Sequence, residues 1–312
     1  MKKTILSLLI SGLLLLTACG GGTADTPAEE DDSLHILATT YPVYLFTTAI
    51  TEGVNGVEVT RLIQEEISCL HDYTLTVNGM KAIEAADVIV MNGVGLEDFM
   101  SDALATSDAP VIDCSEGVEL LAALGHEGHD HDTEYDPHIW MDEGNVSLML
   151  ENIARELCVL DPEHQEIYEQ NRTAAAAALG YDDTKLERLA GRPLITFHDG
   201  FQYFAQATGL DLLKAIEEEE GAEASAAEIK EIVGLIQEHD IPAIFTEKNG
   251  SDATAQAIAR ETGCAVYQLD LVMSGDGSGI QPYVDAMDQN IDTILELSLI
   301  HISEPTRPIS IA

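Results

Sequence analysis

The sequence predicts an α/β fold of two similar lobes, each a parallel sheet flanked by helices, joined by one long rigid helix. Three observations lead to this prediction. Short apolar runs typical of buried strands alternate with helical segments in both halves of the chain. About 290 residues remain after an amino-terminal apolar segment, a length that favours two domains. An alanine-rich segment without proline lies between the halves.

The predicted strands and helices are short and alternate regularly. The strands are Ile36–Thr40, Val57–Ile63, Val88–Met91, Pro110–Asp113, Leu194–Phe197, Leu210–Leu213, Ala243–Thr246 and Ala265–Leu269. The clearest helices are Leu75–Ala85, Ala226–Glu238, Ala253–Thr262 and Tyr283–Glu296.

The domain boundaries follow from this pattern. We expect an amino-terminal lobe over 34–162, a connecting helix over 163–190 and a carboxy-terminal lobe over 191–297. Pro162 suits the first turn of the connecting helix. After residue 297 the helical pattern breaks and the sequence resembles translated sequencing-adapter sequence. We therefore expect 298–312 to be a non-native tail.

The amino terminus has the features of a bacterial lipoprotein signal. Lys2 and Lys3 precede an apolar run from Ile5 to Leu16, which is too short to span a bilayer comfortably. Cys19 stands at the expected cleavage point, where the lipoprotein signal places the lipidated residue. We expect 1–19 to be a signal peptide, 20–33 a flexible acidic tether, and the protein to lie outside the cytoplasm, on the outer face of the cytoplasmic membrane or in the periplasm.

The charge balance excludes one class of partner. The chain has 14 Lys and Arg against 56 Asp and Glu, a formal net charge of -42. Such a surface repels nucleic acid and attracts cations, although acidity alone specifies no metal. The only membrane contact predicted is the lipid anchor, and we expect a monomer.

The cysteines predict no thiolate zinc cluster. Apart from Cys19 they are isolated, without CxxC spacing: Cys69, Cys114, Cys158 and Cys264. An extracytoplasmic location permits disulfides, and Cys69 with Cys114 is one option because both follow predicted strands. The sequence leaves the pairing open.

Four residues could supply a metal site. His71, His198 and Asp270 lie just after predicted strands, and His138 lies in a longer loop. Parallel sheets bind ligands outside the carboxyl ends of their strands. Two of the four come from each half, so they could meet between the lobes. Three imidazoles and one carboxylate form a tetrahedral set suited to Zn²⁺.

An ordered series of segments resembles the zinc- and manganese-binding proteins of bacterial ABC transporters. The segments are His71–Tyr73, Ala86–Gly93, Asp136–Asp142, Phe197–Phe204, Phe245–Glu247 and Glu261–Gly263, followed by Asp270. The resemblance covers about residues 34 to 297. It implies one metal held between two lobes by His71, His138, His198 and Asp270, and a membrane permease as partner.

The resemblance also bears on the choice of metal. Manganese-type relatives typically have a carboxylate at the third ligand position, which is His198 here. Imidazole favours zinc over Mn²⁺, although Cu²⁺ and Ni²⁺ would also suit these ligands. One departure from the family lies in the approach to His71, residues Glu65–Leu70, where many relatives have glycine and proline.

Further residues near these ligands are candidates for supporting roles. His126, His129 and His131 form a His-rich loop like that of zinc-type members, interpreted as an auxiliary metal collector or as an ordinary solvated loop. Glu247 is a candidate acceptor for a ligand's second ring nitrogen. Asp72, Asp136 and Asp199 are also close in sequence to a ligand, but acidic neighbours are expected by chance in this chain.

The sequence features bear on three classes of function. The prediction is an extracytoplasmic receptor that captures Zn²⁺ and delivers it to a permease, with a manganese-preferring protein as the alternative. A zinc hydrolase is disfavoured because four protein ligands leave no position for water, and no HExxH or GxSxG motif occurs. A surface adhesin or zinc buffer would bind metal without a transporter, and neighbouring genes for an ATPase and a permease would argue against it.

Overall fold

The structure is a computed structural model. It describes residues 33–66, 70, 73–124, 134–216 and 225–303, with side chains of the last helix described to residue 296. Several predicted features lie outside these residues. They are the signal peptide and most of the tether, Cys19, Cys69, His71, His126, His129 and His131.

The first half forms a four-stranded parallel sheet. Its strands are β1 Leu34–Ala38, β2 Val57–Arg61, β3 Val88–Met91 and β4 Val111–Asp113. They lie in the order β2-β1-β3-β4. β1 is central and almost wholly buried at its carboxyl end, which is why Ile36 to Ala38 read as an unbroken apolar run.

The second half repeats the same arrangement. Its strands are β5 Pro193–Thr196, β6 Asp211–Ala215, β7 Ala243–Glu247 and β8 Ala265–Leu269. The order β6-β5-β7-β8 matches that of the first sheet, and all pairs are parallel. The predicted two-lobed α/β fold is therefore confirmed. In both sheets the strand order reverses beside the first strand, and a crevice opens outside the carboxyl ends at such a point.

Ten α-helices are found in the described residues. They are α1 Tyr41–Ile50, α2 Val77–Ala85, α3 Ser101–Leu104, α4 Glu143–Leu160, α5 Gln165–Ala178, α6 Asp183–Leu189, α7 Gln202–Thr208, α8 Ala226–Glu238, α9 Ala253–Thr262 and α10 Gln281–Ser303. The predicted bounds of α8 and α9 are confirmed. Ser225 and Glu228 form a capping box at the start of α8, and Gly263 ends α9 in the left-handed conformation.

The single connecting helix predicted over 163–190 is wrong. The segment forms α5 and α6, separated by an extended Leu179 and by Gly180 with φ of +133°. Asp182 then starts α6 by accepting hydrogen bonds from the backbone N–H groups of Thr184 and Lys185. The alanine run is helical, as predicted, but Gly180 and the capping residue Asp182 divide the segment into two helices.

The last helix also differs from the prediction. α10 runs through Ser303, so the helical pattern does not end at Glu296. That 298–312 are a non-native tail stays a prediction. Among the described residues, no helix is both long enough and apolar enough to cross a bilayer.

The cysteine prediction is settled in part. Cys114, Cys158 and Cys264 are free thiols. Cys69, the partner considered for Cys114, lies outside the described residues, so that pairing stays a prediction. Cys114 is fully buried, and burial raises the pKa of its thiol well above the ordinary value.

The two halves share contacts through α10 and through the loop before α4. The Tyr283 ring packs edge-to-face on Phe46 of α1, with centroids 5.3 Å apart. Its hydroxyl donates to the backbone oxygen of Trp140 at 2.7 Å. Trp140 is fully buried, and its Nε1 donates to the backbone oxygen of Leu271 at 2.8 Å. These bonds tie the loop after His138 to the carboxy-terminal half.

We expect Tyr283→Phe to lower the free energy of unfolding by about 1–3 kcal/mol, because it leaves the buried oxygen of Trp140 without this donor. Urea unfolding followed by circular dichroism measures the change. Tyr44→Phe, which removes a hydroxyl from the half-buried Tyr44 of α1, is the control and should cost less than about 0.5 kcal/mol. Equal effects of the two substitutions would contradict the assigned role of the Tyr283 hydroxyl.

Candidate metal centre

His138 is fixed in a buried loop by Asp136. The Asp136 Oδ1 atom accepts the backbone N–H of His138 at 2.9 Å and lies 2.7 Å from its Nδ1. His138 is only 4% exposed. Burial lowers the pKa of His138, but the charge and hydrogen bond of Asp136 raise it, and the net shift is upward. A carboxylate on Nδ1 leaves Nε2 as the atom that faces the rest of the site.

His198 lies two residues after the end of β5 and is buried to the same extent, at 4% exposed. Thr196 Oγ1 donates to the His198 backbone oxygen at 2.8 Å, which fixes the turn at the end of the strand. Glu247 Oε2, at the end of the neighbouring β7, lies 3.5 Å from His198 Nδ1. This is the position expected of the predicted acceptor, and its role stays a prediction.

The two imidazoles meet edge to face. The Nε2 atoms of His138 and His198 are 3.2 Å apart, and the ring planes are inclined at 88°. Asp199 Oδ1 lies 3.5 Å from His198 Nε2. Within the described residues, His138, His198 and Asp199 form a group whose possible ligand atoms all lie within 4.8 Å of one another. Two imidazole nitrogens and a carboxylate oxygen are therefore close enough to bind one ion.

Gly200 allows the two rings to approach. A Cβ atom at position 200 would lie 2.8 Å from Cδ2 of His138 and 2.8 Å from Cδ2 of His198. It would also lie 2.9 Å from Leu271. The residue after His198 and Asp199 must therefore lack a side chain for the site to keep its geometry.

Asp270 is held firmly at the end of β8, but outside this group of atoms. Asn290 of α10 accepts the Asp270 backbone N–H and donates to its backbone oxygen, both at 2.8 Å. Asp270 Oδ1 accepts the backbone N–H of Val272 at 2.7 Å, and Oδ2 lies 3.1 Å from Lys248 Nζ. Both carboxylate oxygens thus have partners within the protein.

The structure brings two of the four predicted ligands together. His138 and His198 are in contact, Asp270 stands at the end of β8, two strands away from β5, and His71 lies outside the described residues. Asp199 and Asp136 lie beside the imidazoles, although acidic neighbours of the ligands were expected by chance from the sequence alone. The four-ligand set stays a prediction.

A buried carboxylate that the sequence analysis did not assign supports the His138 loop from the first sheet. Glu97 accepts the backbone N–H groups of Asn92 and Gly93 at 2.7 and 3.1 Å and the hydroxyl of Thr39 at 2.7 Å. Asn92 Nδ2 in turn donates to the Pro137 backbone oxygen at 2.9 Å. Burial raises the pKa of Glu97 to about 7, although these hydrogen bonds oppose the shift. No local pattern in the sequence revealed this network, because it joins residues far apart in the chain.

The fold and the site together define a class of protein. Two parallel-sheet lobes bring imidazole and carboxylate groups from different parts of the chain to one buried point. Such groups bind divalent metal ions, and the arrangement is that of a two-lobed metal-binding protein.

Comparison with known proteins identifies the family. Residues 36–297 match the family model described as "ZnuA: Zinc-uptake complex component A periplasmic". The chain belongs to this family of metal-binding, substrate-binding proteins of ABC transporters. The family consists of solute-binding proteins, not enzymes, which agrees with the function class expected from the sequence.

Individual relatives are similar over almost their whole length. The chain is 28% identical over 309 residues to the "Manganese-binding lipoprotein MntA" of Halalkalibacterium halodurans, covering 95% of this chain and 98% of that protein. It is 27% identical over 311 residues to the "High-affinity zinc uptake system protein ZnuA" of Bacillus subtilis, covering 92% and 95%. The solved structure of FpvC from Pseudomonas aeruginosa in complex with Mn²⁺ superposes with a TM-score of 0.73 at 29% identity, covering 86% and 99%.

We expect Gly200→Ala to weaken metal binding about 10- to 100-fold, because its methyl group forces the two imidazoles apart. Zinc titration against a chromophoric chelator measures the affinity. Gly234→Ala is the control, since a Cβ at Gly234 in α8 meets nothing within 4 Å. That variant should keep its affinity and gain up to about 1 kcal/mol of stability. Unchanged affinity in Gly200→Ala would show that the site tolerates a wider separation of the rings.

Proposed function

We propose that this protein captures Zn²⁺ between its two lobes and delivers it to the permease of an ABC transporter. The observation that carries the proposal is the 3.2 Å approach of the His138 and His198 Nε2 atoms in a buried position. Two buried imidazoles with acidic partners on their other nitrogens are the usual first ligands of a zinc site.

The full ligand set in this proposal is His71, His138, His198 and Asp270. Asp270 is supported by its place at the carboxyl end of β8 and by the Asn290 contacts that hold its backbone. Asp199 is the rival carboxylate, because its Oδ1 is already near His198 Nε2. His71 rests on the sequence series alone.

Zinc is preferred over manganese on ligand chemistry. Manganese favours oxygen ligands, whereas the pair at the centre of this site is two imidazoles. Similar proteins carry names for both metals, so a manganese-preferring protein is the alternative. A site in which Asp199 and Asp270 both bind would move the preference toward manganese.

The remaining parts of the proposal come from the sequence and the family. Cys19 is the lipidated residue, and its lipid anchors the mature protein outside the cytoplasm. The protein acts as a monomer. The permease contacts both lobes and releases the metal by separating their ligands. His126, His129 and His131 collect metal near the entrance at low affinity.

Metal titration of the mature chain tests the ligand set. We expect one tight Zn²⁺ site that Mn²⁺ displaces only in large excess. His71→Ala, His198→Ala and Asp270→Asn should each weaken zinc binding by about 100-fold or more, because each removes a ligand. His164→Ala is the control: His164 pairs with Asp161 at 2.7 Å near α5, and its loss should leave the affinity unchanged.

The same titration separates the alternatives. Unchanged zinc affinity in His198→Ala would overturn the site. If Asp199→Asn weakens binding and Asp270→Asn does not, Asp199 is the carboxylate ligand. Preferential Mn²⁺ binding by the unaltered protein would assign it to manganese.

Zinc affinity should fall as the pH is lowered, because the metal binds neutral imidazoles. The pKa of His138 is raised, so protons compete with the metal from a higher pH than for an ordinary histidine. Asp136→Asn removes the charge that raises this pKa, and the midpoint of the affinity–pH curve should move to lower pH. Competition titrations between about pH 5.5 and 8 measure the curve. Asp161→Asn changes an equivalent aspartate–histidine pair away from the site and should leave the midpoint in place.

A further inference from the structure

We propose that Lys248 sets the affinity of the metal site by acting as a displaceable counter-ion to Asp270. The proposal rests on the proposed function and on Asp270 as a ligand. Lys248 Nζ lies 3.1 Å from Asp270 Oδ2. A metal ion that binds this oxygen must therefore displace a positive charge that the protein itself supplies.

Strand register builds the contact into the fold. β7 and β8 are parallel neighbours, and their last paired residues are Glu247 and Leu269. The next residue of each strand is Lys248 and Asp270, so the two stand side by side where the strands end. The Lys248 backbone N–H also donates to the Leu269 oxygen at 2.8 Å. The start of the lysine side chain is thus fixed beside the carboxylate.

The turn after β7 is anchored on its other side as well. Asn249 adopts a left-handed conformation with φ of +72°, and its Nδ2 donates to Ser274 Oγ at 2.7 Å. The Gly250 backbone N–H donates to the Glu247 oxygen at 3.2 Å. A Cβ at Gly250 would lie 2.5 Å from Glu247, so the tight turn requires glycine. The backbone that carries Lys248 therefore stays near Asp270 even when the ammonium group moves away.

Exposure makes the ammonium group easy to displace. The Lys248 side chain is 57% exposed and that of Asp270 is 24% exposed. An ion pair at such a position contributes little to folding, because water solvates the separated charges. The contact is thus suited to exchange with a cation. It is not suited to a structural role comparable with the Asn290 bonds that hold the Asp270 backbone.

The charge balance of the chain indicates a function for the ion pair between Lys248 and Asp270. With 56 acidic and 14 basic side chains, the surface as a whole attracts divalent cations. A lysine beside one candidate ligand opposes that attraction at the site itself. After displacement, the ammonium remains close enough to repel the bound metal. Lys248 should therefore weaken equilibrium binding and speed release, both of which serve a protein that must give up its metal to a permease.

The test compares Lys248→Gln with a variant that keeps the charge. Zinc affinity is measured by chelator competition on the mature chain, and release by transfer of bound zinc to excess chelator. We expect Lys248→Gln to bind zinc roughly three- to tenfold more tightly and to release it more slowly. Lys248→Arg should behave like the unaltered protein. The gain in Lys248→Gln should shrink as sodium chloride is raised, which the loss of a merely structural contact would not produce.

Lys214→Gln is the matched control. Lys214 of β6 pairs with Glu231 of α8 at 3.2 Å and is also partly exposed, but its partner is not a candidate ligand. Its substitution should leave affinity and release unchanged. Tighter binding in both glutamine variants would assign the effect to net charge and overturn the specific role of Lys248. Equal or weaker binding in Lys248→Gln, compared with the unaltered protein, would overturn it too.

Asp270→Asn separates this inference from the proposed function. If the unaltered protein binds no zinc, or Asp270→Asn binds it as tightly as the unaltered protein, the ligand set fails and the inference fails with it. If Asp270→Asn loses affinity but Lys248→Gln gains none, the proposed function stands and only the counter-ion role is lost. In the double variant, Asp270→Asn with Lys248→Gln, we expect most of the gain from Lys248→Gln to disappear.

Discussion

The structure depends on the close approach of two buried imidazoles that come from different halves of the chain. Burying such groups is costly unless their polar atoms are satisfied, and the surrounding residues meet that requirement. Asp136 holds one ring through Nδ1, and Glu247 lies near the corresponding nitrogen of the other. Gly200 leaves the space in which the rings meet. The end of β5, the loop that carries His138 and the contacts between the lobes together position the two rings.

Much of the fold could be predicted because its elements have strong local signals. All eight strands were predicted to within about two residues, since buried parallel strands read as short apolar runs. The connecting helix was wrong because the helical signal of the alanine run was extended across Gly180. The hydrogen bonds accepted by Asp182 favour the start of a second helix, α6. A sum of helix propensities over the alanine run does not include such capping bonds.

The site was only partly predictable for a different reason. His138, His198 and Asp270 were predicted from their places relative to the strands and in an ordered series of segments, and the structure brings the two histidines together. Gly200 and Lys248 were not singled out, because their roles exist only once distant strands are placed side by side. Asp136 and Asp199 were noted and then discounted, since acidic neighbours are common in this chain. Their contacts with the histidine rings distinguish them from the other acidic residues, and those contacts are tertiary.

The position of α10 has a consequence for how the protein folds. Tyr283, Met287 and Ile291 are fully buried in the same apolar cluster as Phe46 and the strands of the first sheet. The amino-terminal half therefore cannot complete its core until the last helix of the chain is present. Without α10, Phe46 and its neighbours would remain partly open to solvent. The same helix thus completes apolar packing in both halves, and we expect the two halves to unfold together.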